Sequence, residues 1–329
     1  MAIENLPFRL DVAQARTNIS PYIRQTPVLR VRELEESGGS RVFLKLENLQ
    51  VTGSFKVRGA ANRILALSGG EMERGVVACS SGNHGRAVAF MAGLKGIPAV
   101  ICVPSWVDPV KKEGMERAGA RVVLSGDSYD EAEAQALALA EAEGRTFVQP
   151  FDDPWIAAGQ GTLGLELLEE IPELHTVLIP LSGGGLAGGI AYAIKERHPG
   201  ARIVGVSANR ARVMYESLRA GKPISMPEEE TLAEALSGGI GLSNRFSLPL
   251  IRELVDEHVL VDEQAIREAM LYASASLHLL LEGGGAVALA AVLGKKCDLG
   301  AERDTQGVAV VLSGGNVSLD RLRALSASD

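Results

Sequence analysis

Aromatic side chains are scarce in this sequence: Phe, Trp and Tyr together make up 4% of 329 residues. Positive charge is in short supply too, with 33 Lys and Arg against 41 Asp and Glu and a formal net charge of −8. A nucleic-acid-binding surface needs a cationic face and stacking platforms, so both shortages argue against one. Cysteine is limited to Cys79, Cys102 and Cys297, an odd number without metal-ligand spacing. The three read as reduced core thiols of a cytoplasmic protein. No apolar run approaches the roughly 20 residues that cross a bilayer. The stretch MAIENLPFRLD lacks the basic start and apolar centre of a secretory signal. His175, His198, His258 and His278 show no paired spacing and read as surface or core residues.

Hydrophobic residues, by contrast, reach an ordinary 46%, and the length suits two domains or one large α/β unit. Asp11 to Ile19 reads as an amphipathic helix, and Thr26 to Arg30 as an extended Pro-containing segment. The apolar-alternating run Arg41 to Glu47 leads through Val-Thr-Gly-Ser-Phe-Lys into a helical run, Val57 to Leu67. From Gly75 strands and helices alternate. The strands are Gly75 to Cys79, Pro98 to Val103, Arg121 to Leu124 and Thr146 to Gln149. The helices are Arg86 to Leu94, Pro109 to Ala118 and Asp130 to Glu143. Such repeats predict a parallel sheet covered by helices, and residues 73–148 read as a small self-contained domain.

A second series follows Phe151. It predicts helices at Ala157 to Glu170 and Leu186 to Arg197, and strands at Thr176 to Leu181 and Arg202 to Val206. Residues 220–250 read as a long irregular connection, more often functional than not. Helices at Glu263 to Leu281 and Ala286 to Leu293 then precede a last strand, Val308 to Leu312.

Four glycine-bearing loops carry the chemistry, each after an apolar run. In the first, Lys56 falls at a helix start, where the helix dipole disfavours its ammonium form. A neutral lysine amine attacks carbonyls to form a Schiff base. SSGNHG (Ser80 to Gly85) offers Ser80, Ser81, Asn83 and His84 around Gly82, in a turn whose asparagine tolerates left-handed geometry. SGGGLAGG (Ser182 to Gly189) stands between strand and helix as a phosphate cradle. Gly183, Gly185 and Gly188 also spell G-x-G-x-x-G, so a dinucleotide site is the rival reading, with Arg210 placed to meet the 2′-phosphate of NADP. The fourth loop is SGGN, Ser313 to Asn316.

Together and in this order, the four loops resemble the fold-type II pyridoxal-phosphate enzymes, specifically the serine/threonine dehydratase (ammonia-lyase) and serine racemase group. Thr231 to Arg245 (TLAEALSGGIGLSNR) and Arg252 to Val261 look most like the hydroxyectoine-utilisation dehydratases. The resemblance implies a tryptophan synthase β-like fold of two parallel-sheet, three-layer domains. Residues 1–65 and 149–329 would form the large cofactor-binding domain, 73–148 the small one, with pyridoxal 5′-phosphate in the cleft. It further implies a cytoplasmic homodimer acting on a small amino acid. By the same resemblance Lys56 and Ser81 are catalytic. Phe55, Asn83, Gly183, Gly184, Gly185, Leu186, Gly239 and Ser313 hold the cofactor. Ser80, Ser81, Gly82, Asn83 and His84 receive the substrate carboxylate, and Glu282 stands near the site.

One departure is plain. Many relatives bind a divalent cation through acids after the strand Arg202 to Val206, and here Ser207 to Arg212 contains none. The expectation is therefore a metal-free dehydratase with racemisation as the alternative activity. Ser313 supports elimination, because a hydroxyl does not keep a pyridine nitrogen protonated as an aspartate does.

Overall fold

The computed structural model describes residues 2–35, 39–171, 173–299 and 306–326. In chain order, α1 (Val12–Ile19), β1 (Val28–Arg30), β2 (Arg41–Leu46), α2 (Lys56–Leu65) and α3 (Gly69–Arg74) come first. The block β3 (Val76–Cys79), α4 (Asn83–Leu94), β4 (Ala99–Val103), α5 (Pro109–Arg117), β5 (Arg121–Leu124), α6 (Tyr129–Glu143) and β6 (Thr146–Phe147) follows. Next are α7 (Pro154–Glu170), β7 (Leu174–Pro180), α8 (Gly185–Arg197), β8 (Arg202–Ala208) and α9 (Val213–Ala220). The rest is α10 (Ser247–Leu254), β9 (Glu257–Val261), α11 (Glu263–Ala275), α12 (Gly283–Leu293), β10 (Gly307–Leu312) and α13 (Leu319–Ser326).

Two sheets result. The larger runs β1-β2-β10-β7-β8-β9 and the smaller β5-β4-β3-β6. Every pairing is parallel except β1 on β2, so the Pro-containing segment supplies an antiparallel edge. The period of two along β10 builds the layers. Val308, Val310 and Leu312 face a core with α11 and α12, while Ala309 and Val311 face one with α1, α7, α8 and α10. The smaller sheet does the same: Val76 and Ala78 turn toward α4, and Val77 and Cys79 toward α6. Val57, Ala60, Ala61 and Ile64 of α2 join the smaller sheet's core, although residues up to 65 were expected with the larger one. That helix also crosses α7 at a close approach, where a side chain on Gly159 would stand 2.5 Å from the Arg58 carbonyl.

The elements depart from the sequence reading where local signals are weak. Asp11 caps α1 rather than joining it, accepting from Gln14 N at 2.9 Å. The helix expected from Glu263 to Leu281 stops at Ala275, and His278 then adopts φ 58°, which no helix continues. Helices α9 and α10 take up the flanks of the irregular connection, and β9 is a further strand. Asn83 is the first residue of α4, not a left-handed turn residue; the non-glycine residues at positive φ are Glu173, His278 and Lys295.

Candidate active site

The loops after β2, β3, β7 and β10 meet at the carboxyl ends of the strands, where open parallel sheets receive ligands. Ser54 bridges Gly314, and Phe55 N donates to Ser313 O at 3.1 Å, so the lysine loop lies along the SGGN loop. Lys56 opens α2 with its amine aimed across the cleft, donating to the Pro150 carbonyl at 3.0 Å. Removal from bulk water pushes this amine down from 10.5 to about 8, against the pull of the Glu282 carboxylate. The sequence put an easily deprotonated lysine here on account of the helix dipole; the lowering found comes from removal from water.

Facing it is a chain of amides. Asn83 Nδ2 donates to Glu282 Oε1 at 2.5 Å, and Asn83 Oδ1 accepts from Asn316 Nδ2 at 2.6 Å. Asn316 also donates to Thr52 O at 2.9 Å and accepts from Arg86 Nη1 at 2.9 Å. Burial raises Glu282 from 4.5 to about 7, opposed first by the Asn83 hydrogen bond. Ser80 Oγ accepts from Gly82 N at 3.2 Å, which shapes the turn before α4. His84 points away from it: Nε2 lies 2.8 Å from Val148 O, and burial, with Lys56 nearby, holds the ring neutral with a pKa of about 3. Ser81 is half-buried and has no side-chain partner among the described residues.

The SGGG loop closes against Phe151. A side chain on Gly183 would stand 2.3 Å from the Phe151 ring, and one on Gly185 2.9 Å from its Cα. Gly184, at φ 88°, occupies the left-handed region and takes the N-cap place of α8. Leu186 packs inward in the α8 core. Ser182 Oγ donates to Leu236 O at 2.7 Å, which ties this loop to the one carrying Gly239. Gly239 is open: a side chain there would come no nearer than 3.9 Å to Gly241 N. Ser313 is buried and donates to Gly284 O at 3.3 Å.

The helices that open on the cleft lack side-chain caps at their N-cap residues, as do α9 and α10. Helices α1, α3, α5, α6, α7 and α11 have side-chain caps, from Asp11, Ser68, Asp108, Ser128, Asp153 and Asp262. Those opening on the cleft, α2, α4, α8 and α12, have none. Apart from Arg58 N, Gly59 N and Gly285 N, which bond to Phe55 O, Gln160 Oε1 and Glu282 O, their first N–H groups are left for an anion, and their dipoles favour one. Ser54 Oγ and His84 Nδ1 are also buried there without a hydrogen-bond partner.

The sequence reading did not single out Pro150, Phe151, Asp152, Asn316 or Arg86. Asn316 stands 233 positions from Asn83, and no periodicity or motif announces such a pairing. Arg210, weighed for a 2′-phosphate, is instead bonded to Glu230 O at 2.9 Å.

A half-buried, easily neutralised lysine among helix starts that can meet an anion suits an enzyme whose cofactor is both a carbonyl compound and a phosphate. The chain belongs to the family of pyridoxal-phosphate dependent enzymes, whose pattern matches residues 19–314. It is 41% identical over 315 residues to an L-threonine ammonia-lyase of Geobacter sulfurreducens, covering 95% of this chain and 76% of that one. It is 38% identical over 310 residues to a serine racemase of Oryza sativa subsp. indica, covering 94% and 91%. Among solved structures, maize serine racemase superposes with a TM-score of 0.88 at 36% identity, covering 95% and 94%. The cofactor is pyridoxal phosphate, and the dinucleotide reading falls.

Proposed function

We propose that this protein dehydrates and deaminates a β-hydroxy amino acid to a 2-oxo acid and ammonia. The observation that carries the reading is the Lys56 amine, lowered to about 8 at the mouth of the uncapped helices. The residues present fit the cofactor. Lys56 would hold its aldehyde carbon, and Gly183, Gly184, Gly185 and Leu186 its phosphate through backbone N–H groups. Asn83 would meet its phenolic oxygen and Ser313 its ring nitrogen, with Phe55 and Gly239 along the ring. The start of α4, Ser80 to His84, would receive the substrate carboxylate. When bound, pyridoxal phosphate draws electron density from the α-carbon of the amino acid attached to it.

The residues then divide the proton transfers. Lys56, freed as a neutral amine, takes the α-proton as general base. The β-hydroxyl leaves with a proton as water, and the enamine released takes up water and loses ammonia. Elimination is favoured over racemisation because Ser81 has no side-chain hydrogen-bond partner among the described residues to make it a proton donor, His84 being held by Val148. Ser313, a hydroxyl already bonded to Gly284, also leaves little sink for a lingering carbanion.

We propose further that no divalent cation is needed. Past β8 the Arg210 and Arg212 guanidiniums are bonded to the Glu230 and Asn209 carbonyls, and at its end Ser207 Oγ donates to Leu181 O. Threonine, serine and hydroxyectoine-derived amino acids are the substrates to assay first. Purified protein should carry a visible chromophore that borohydride fixes onto the Lys56 peptide, and Lys56→Ala should lose both chromophore and turnover. A colourless protein that binds NADP would overturn the reading.

A further inference from the structure

The segment 148–153 links β6 to α7 with neither helix nor strand, yet nearly every residue in it is tied to the site. Val148 O meets His84 Nε2 at 2.8 Å, and Pro150 O takes the Lys56 amine at 3.0 Å. Phe151 fills the face of Gly183 and Gly185. Asp153 caps α7 through Trp155 N at 2.7 Å and Ile156 N at 3.0 Å, and pairs with Arg63 of α2 at 3.2 Å. Asp152 reaches the other way. Its Oδ1 accepts from Phe246 N and Ser247 N, and its Oδ2 from Arg245 N, all at 2.8 Å.

We infer that Asp152 is a positioning residue: by gathering the three N–H groups before α10, it locks segment 148–153 to the loop that carries Gly239 and so fixes where the Lys56 amine rests. The loop 237–246 is held at its other end by the Ser182 bond to Leu236 O. Between these two ties it contains Gly238, Gly239 and Gly241, two of them at positive φ, while Ile240 is buried and Asn244 Nδ2 donates to Ile240 O at 2.9 Å and to Ser247 Oγ at 2.7 Å. Asp152 is therefore the link between this glycine-bearing wall of the cleft and the segment whose Pro150 carbonyl receives the lysine. A carboxylate suits the task, since charge-assisted bonds to three converging N–H groups are strong and directional. An amide at the same place would set an N–H against the Arg245 N–H.

The test compares Asp152→Ala and the milder Asp152→Asn with Asp262→Ala, which removes the cap of α11 away from the cleft. Two readouts are needed. In cofactor-free protein, reductive methylation of Lys56 by formaldehyde, followed across pH on its tryptic peptide, reports the neutral amine. Wild type and Asp262→Ala should show a midpoint near 8; the Asp152 variants should move upward toward the ordinary 10.5 as water enters. In the holoenzyme, kcat/KM should fall by about 100-fold for Asp152→Ala, the scale of an ångström-size misplacement, and less for Asp152→Asn. Identical midpoints and equal kcat/KM in the Asp152 and Asp262 variants would overturn the inference. The turnover arm rests on the dehydratase reading; the methylation arm does not. A wild type inert toward β-hydroxy amino acids would therefore defeat that reading and leave Asp152 to be judged by the midpoint.

Discussion

Glu282 and Lys56 share one cleft, and each is pushed toward its neutral form, the acid up to about 7 and the amine down to about 8. Because Glu282 binds its proton more tightly folded than unfolded, the fold loses stability as pH rises from 4.5 to about 7. Glu282→Gln should abolish that decline and stabilise cofactor-free protein at pH 8 by about 1–3 kcal/mol, with little gain at pH 4.5. Urea unfolding at the two pH values checks this, and a gain equal at both would contradict it. Removing the carboxylate also removes the attraction that raises the lysine, so the Lys56 midpoint should drop below 8. At Ser81 the expectation is separate: Ser81→Ala should abolish any racemisation while leaving borohydride-reducible cofactor on Lys56. Chiral chromatography checks it, and undiminished racemisation would remove Ser81 from that step. Lys56, Asn83 and Ser313 were legible because each follows a strand in a glycine-marked loop. Asp152 and Asn316 were not, since an isolated Asp or Asn has many local uses and the partners here lie 94 and 233 positions away.

Elements show how the lysine is held. Two residues beyond Lys56 on α2, Arg58 points to the opposite side and is fully buried. There it makes paired bonds to Glu47, at 2.8 and 2.9 Å, and to Glu166 of α7, at 2.6 and 2.9 Å. Lys45 of β2 adds bonds to Glu166 and Glu170, both at 2.8 Å. Breaking one member strands buried charge, so Glu166→Gln should destabilise the fold by about 3–5 kcal/mol in denaturant titrations; a loss under 1 kcal/mol would mean that water reaches the cluster. At α8, Gly184→Ala forces a side chain into φ 88° and to 2.9 Å from Met214 Cε, costing about 1–2 kcal/mol and displacing the uncapped N–H groups. The alternating strands and helices of residues 75–147 were readable from period and glycine punctuation. The end of α11 was not, because Ser276 to Leu281 retains helix-compatible side chains and only tertiary packing turns the backbone away.

Across the whole molecule, two sheets of six and four strands meet over one cleft, and polar contacts cross it beside the apolar cluster that joins α2 to Ile19 and Ile156. Asn83 and Arg86 of α4 hold Asn316, and Lys111 of α5 lies 3.6 Å from Glu234. Such contacts exchange readily with water, which suits a cleft that admits substrate. The division into two sheets was legible from the break between two βα series, whereas the packing of α2 into the smaller sheet's core was not, because that helix is buried on more than one side and shows no single apolar stripe. Activity should survive EDTA within twofold and gain nothing from magnesium; a large loss restored by magnesium would place a cation site elsewhere. No helix among the described residues is long and apolar enough to cross a membrane, and a homodimer of twice the 34.7 kDa chain is the expected species in light scattering. The most direct test follows both products from L-threonine and L-serine with holoenzyme. Ammonia and 2-oxo acid should form in equal amounts, faster than any D-amino acid, and neither should form with Lys56→Ala. D-amino acid accumulating without ammonia would contradict elimination as the activity of this site.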